Sequence, residues 1–164
     1  MSHLFLRLLD MMRLRAGPQD MPVGWGIAAL LGLAYLAEGI IADRALDGDG
    51  SAPRSLIAVS TQFLAIACLL AWRRMGARLP QTLTALAGTG LIFGAFSILL
   101  VLQAAPGSPQ PLLALLWLAT FAWSLVVDAH IYRRALSTTM SLGILIAVLL
   151  FALNFILMET LFPV

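Results

Sequence analysis

Residues 138–162, TTMSLGILIAVLLFALNFILMETLF, decide the fold: the stretch holds a single ionisable side chain, Glu159, and no proline. A helix rising 1.5 Å per residue needs about 20 apolar residues to cross a hydrocarbon core of about 30 Å. Working back along the chain, residues 112–131, 82–103, 55–72 and 23–42 meet the same requirement. The sequence therefore predicts an all-α, polytopic transmembrane bundle of five spans.

Composition excludes the alternatives. The 164 residues are 61% hydrophobic and 11% charged, with a mean hydropathy of +0.96, whereas soluble domains carry about a quarter charged residues. The connections are too short to hold a second core, which divides the chain into an N-terminal segment, 1–22, and a five-span domain, 23–164.

All ten basic residues are arginines, and their placement orients the bundle. Arg7, Arg13 and Arg15 precede the first span, Arg73, Arg74 and Arg78 follow the second, and Arg133 and Arg134 follow the fourth. Only Arg44 and Arg54 fall on the other side. Cytoplasmic loops concentrate arginine, so the N-terminus is expected in the cytoplasm and the C-terminus on the periplasmic or external face. The all-arginine content suggests a GC-rich bacterial genome, and the expected location is then a bacterial inner membrane. The pI of about 9.3 then reflects orientation and contact with anionic lipid, and nucleic acid is not an expected partner.

Along the first sixteen residues, Leu4, Phe5, Leu8, Leu9, Met11 and Met12 gather on one helical arc, and His3, Arg7, Asp10 and Arg13 on the other. That pattern predicts an amphipathic helix in the membrane surface or against a partner. Gly17, Pro18 and Pro22 end it. In lipid, small residues let helices approach closely. Gly90 and Gly94 form a GxxxG in the third span, and Gly24, Ala28 and Gly32 a small-residue ridge on the first, so these two spans are the expected tight contacts, within the bundle or between two copies of the chain. Trp72-Arg73-Arg74 and Tyr132-Arg133-Arg134 look alike, as an aromatic belt beside cytoplasmic arginines or the trace of a duplication.

Ionisable residues within spans are costly and become functional candidates. Glu38 and Glu159 are expected near the outer ends of the first and fifth spans and Asp128 near the inner end of the fourth, none at the midplane. Thr120, Ser124 and Asp128 recur every four residues and form one polar stripe. Its hydroxyls can bond their own backbone while Asp128 pairs with a loop arginine, or the stripe lines a groove open to the cytoplasm. Gln62 and Asn154 fit interhelical hydrogen bonding. His130 lies near the stripe but on another face, and Cys68 is alone. Neither the two histidines nor Cys68 has the spacing of a metal or haem site, and no nucleophile or phosphate-loop motif occurs. No catalysis and no cofactor are expected.

Gly17-Pro18 before the first span, the run LPQTLTALAGTG at 79–90, WSLVVDAH at 123–130 and five closely spaced spans together resemble the Yip domain family, including its small bacterial members. The resemblance implies a cytoplasmic N-terminus and an outside C-terminus. Eukaryotic members are associated with membrane traffic and small-GTPase binding through a long cytoplasmic arm, which has no counterpart here. The expectation from the sequence is a non-catalytic scaffold or accessory component that contacts the lipid bilayer, other membrane proteins or further copies of itself. The alternative is a small, oligomeric solute or ion transporter that uses the intramembrane carboxylates.

Overall fold

The computed structural model describes residues 2–47, 52–104 and 109–162. Helix α1 (Ser2–Met12) leads into α2 (Trp25–Asp47), α3 (Ala52–Trp72), α4 (Leu79–Leu102), α5 (Pro111–Ala135) and α6 (Met140–Leu161). No strand occurs among the described residues. Helices α2 to α6 are each long and apolar enough to cross a membrane, so the chain is a multi-pass membrane protein.

Local chemistry sets the helix ends. Proline occupies the first turn of α4 and of α5, where its missing N–H costs no intrahelical bond. The Thr139 side chain accepts a hydrogen bond from the Leu142 N–H at 3.4 Å and caps α6. Leu14, Arg74 and Ser137 adopt positive φ just past α1, α3 and α5. In each case the next residue's N–H reaches back five residues, as in Met75 to Leu70 at 2.7 Å and Thr138 to Arg133 at 2.9 Å. This is the left-handed helix closure usually given to glycine. The long helices overrun the expected spans, α2 continuing to Asp47 and α3 starting at Ala52.

Packing neighbours close into a ring: α2 on α4, α4 on α5, α5 on α6, α6 on α3 and α3 on α2. The α2–α4 contact is the most extensive. Its geometry differs from a bare backbone approach, because Gly90 and Gly94 are notches that receive side chains of α2. A Cβ at Gly90 would stand 2.7 Å from the Tyr35 ring, and one at Gly94 2.6 Å from Glu38 Oε2. The small-residue ridge of the first span needs correction. Gly24 precedes α2 and has nothing within 4 Å, while Gly32 faces Phe63 of α3. A close backbone approach lies elsewhere, at Gly143 of α6 against the Ala129 carbonyl of α5.

Residues 2–22 belong to the same core as the spans. Leu8 fills a notch at Gly88 of α4, and Met11, Ala16 and Met21 are buried with Ile66, Leu86 and Ile131. Trp123 Nε1 donates to the Met12 carbonyl at 3.1 Å, His130 Nε2 pairs with the Ala16 carbonyl at 2.8 Å, and Gln81 Nε2 donates to the Met21 carbonyl at 2.9 Å. Helix α1 thus buries Leu8 and Met11 against the bundle and leaves Phe5 and Leu6 exposed.

Candidate functional site

Inside the ring, every span contributes to two adjoining cavities of about 260 and 160 Å³. Tyr35 of α2, Gln62 of α3, and Phe121, Ser124 and Asp128 of α5 line both. The larger adds Phe93, Gly94 and Trp117, and the smaller adds Tyr132, Phe151 and Asn154. Tyr35, Gln62, Gly90 and Ser124 each fall near the middle of their helices, so the cavities occupy the centre of the bundle.

The polar stripe of α5 divides by chemistry. Thr120 donates to the Leu116 carbonyl and Ser124 to the Phe121 carbonyl, each at 2.8 Å, so both hydroxyls are satisfied within their own helix. No loop arginine reaches Asp128, whose carboxylate faces the cavities among Tyr35, Gln62 and Tyr132. Expected near the inner end of its span, it lies seven residues before the end of α5 and lines the central space from the helical face that also carries Trp117, Phe121 and Ser124.

Tyr132 is not a belt residue. It is 1% exposed, against 79% for Trp72, and its hydroxyl accepts a hydrogen bond from Gln62 Nε2 at 3.1 Å. The resemblance between the two Arg-Arg hairpins therefore does not extend to packing. Gln62 does bridge helices, α3 to α5. Asn154 does not: its Nδ2 donates to the Leu150 carbonyl of its own helix at 3.3 Å, while Oδ1 is buried without a partner.

The three carboxylates separate. Glu38 sits at the α2–α4 contact with Oε2 buried and unpartnered, nine residues before the end of α2, or about 14 Å of helix. It lines neither cavity. Glu159 is exposed near the end of α6, outside the cluster. His130 is turned away and holds the N-terminal segment.

Sequence reasoning missed the aromatic wall. Trp117 and Phe121 stack with centroids 5.7 Å apart, and Phe121 meets Phe151 edge-on at 5.1 Å. With Tyr35 and Phe93 these rings line the cavities that Asp128 also lines, and neither an arginine nor a histidine lines either cavity. Trp117 also lines a third cavity of about 420 Å³ between the end of α4 and the start of α5. Among the described residues no group of His, Cys, Asp or Glu could hold a metal ion.

An aromatic-walled space with a half-buried carboxylate and no basic residue in its lining favours a cation: aromatic faces attract positive charge, and a carboxylate away from bulk water interacts more strongly with a cationic partner. No family model, no curated protein and no solved structure matches this chain.

Proposed function

We propose that this protein binds a small organic cation at the centre of its helix ring and carries it across the membrane. The observation that carries the reading is that Asp128 lines one cavity with Tyr35 and Phe121, with Trp117 further along the same face of α5 and no basic residue in the lining. Solute sites of membrane carriers commonly lie near the bilayer midplane between helices. Trp117 stands between the central cavity and the one at the end of α4 and the start of α5, which supplies a route for the solute once its ring turns. A scaffold or accessory role, as in the Yip-like reading, makes no use of this space, and the two readings part over Asp128.

Benzyltrimethylammonium is a suitable probe, with an aromatic body and a fixed charge. In liposomes carrying the purified protein, Asp128→Asn is expected to lower its uptake at least about tenfold, because the neutral amide removes the charge that attracts a desolvated cation. Glu159→Gln should transport like the parent. Parental uptake by a folded Asp128→Asn protein, or complementation of a deletion strain by it, favours the scaffold.

The reading includes an orientation, N-terminus inside a bacterial inner membrane, supported by the eight arginines before α2, after α3 and in the last turn of α5. In a Cys68→Ser background, cysteines at Ala77 and Ser137 should resist an impermeant thiol reagent applied to intact cells, and one at Pro109 should react. Labelling at Ala77 and protection at Pro109 would invert the topology.

A further inference from the structure

At the basic end of the bundle lies a separate cavity of about 470 Å³, lined by Arg78, Arg133, Arg134, Ser137, Thr138 and Met140 among others. Two of its features bear on what it holds. The Arg78 guanidinium is fixed in place, Nη1 donating to the Ala135 carbonyl at 3.0 Å and to Ser137 Oγ at 2.8 Å, which ties the α3–α4 connection to the α5–α6 connection. The Thr138 hydroxyl oxygen is buried with no hydrogen-bond partner, an arrangement that is unfavourable until something bonds to it.

The charge of this cavity is one-sided, since no Asp or Glu lines it. Met140, the first residue of α6, is part of the lining, so the N-terminal end of that helix borders the same space as Arg78, Arg133 and Arg134. Helix N-termini and arginine forks both favour oxyanions, and phosphate presents several acceptor oxygens at once. A hydroxyl such as that of Thr138 donates to one of them.

We infer that this cavity is a phosphate-binding site, filled by the phosphodiester of an anionic lipid headgroup or by a soluble phosphate. Its position at the arginine-rich end of the spans gives it access to both sources.

The full chain in nanodiscs distinguishes them. Retention of phosphatidylglycerol over phosphatidylcholine is measured by native mass spectrometry, and binding of inorganic phosphate by calorimetry in phosphatidylcholine nanodiscs. Arg133→Gln with Arg134→Gln is expected to weaken binding about tenfold or more, as two charges leave the pocket. Arg73→Gln with Arg74→Gln removes the same charge from the same end but outside the cavity and should change binding less than about twofold on that accounting. Thr138→Val gives a readout that misfolding cannot imitate: in phosphatidylcholine it should keep or raise the melting temperature, because an unbonded buried hydroxyl is gone, yet it should weaken phosphate binding. Loss confined to phosphatidylglycerol assigns the site to lipid, and loss confined to inorganic phosphate assigns it to a soluble anion. Equal losses in the two double variants, or parental binding by Thr138→Val, would reduce the effect to diffuse surface charge and overturn the site. Absence of binding to either probe overturns it as well.

Discussion

Gly143→Val is expected to cost at least about 3 kcal/mol of stability, lowering the melting temperature in detergent by about 6–12 °C. A Cβ at Gly143 would collide with the backbone carbonyl of Ala129 and lie 3.2 Å from the Arg133 Cβ. A carbonyl inside α5 cannot rotate away without breaking its helix, so α5 and α6 must separate. Even Gly143→Ala should destabilise, although alanine in a helix ordinarily gains about 0.5–1 kcal/mol over glycine. Gly26→Ala serves as the control, because nothing lies within 4 Å of that position. Equal melting temperatures for Gly143→Val and Gly26→Ala would show that α5 and α6 do not meet in this way.

Gly90→Leu should separate binding from folding. The obstacle here is the Tyr35 ring, 2.7 Å from the added Cβ, and a side chain can turn where a backbone cannot. Tyr35 lines both central cavities, as Gly90 lines the larger, so the added volume goes into space the solute needs. The stability loss should stay within the range of about 1–3 kcal/mol usual for overpacking. Affinity for benzyltrimethylammonium should fall at least about tenfold, since both ring contacts and volume are lost. Parental affinity in calorimetry would mean that the solute does not occupy this space.

The spans were legible in the sequence because hydropathy measures the one property that a bilayer selects. The arrangement of the ring was not, because protein-facing and lipid-facing surfaces of these helices are both apolar. Leu145, Leu149 and Ile156 of α6 are exposed, while Leu150 of the same helix packs on the core, and nothing in their side chains distinguishes them. Small residues are the better guide. Gly90 and Gly94 mark the α2 contact, and Gly143 with Ala147, four residues apart and both buried, carry the same kind of signal at α6.

Asp128 was recognisable as a costly intramembrane charge, and Trp117 and Phe121 precede it on the same face of α5, but Tyr35, Phe93 and Phe151 come from three other helices and leave no local pattern. Gln62 and Tyr132 are likewise joined across 70 positions. The N-terminal helix was legible as amphipathic, yet periodicity alone does not say whether Leu8 and Met11 face lipid or protein. The notch at Gly88 decides that, and it is visible only once α4 is in place.

On the proposed function, the space at mid-bundle that Asp128 lines receives a cationic solute from water. The most direct test is a single cysteine at Ser124 in a Cys68→Ser background, treated in intact membranes with a cationic, water-soluble methanethiosulfonate. Ser124 lines both cavities, so the account predicts modification, slowed by benzyltrimethylammonium and slower still when Asp128→Asn is added. A cysteine at the lipid-facing Leu145 should stay unmodified. A Ser124 cysteine as inert as the one at Leu145, or one whose reaction is indifferent to both the probe and Asp128, would contradict the account.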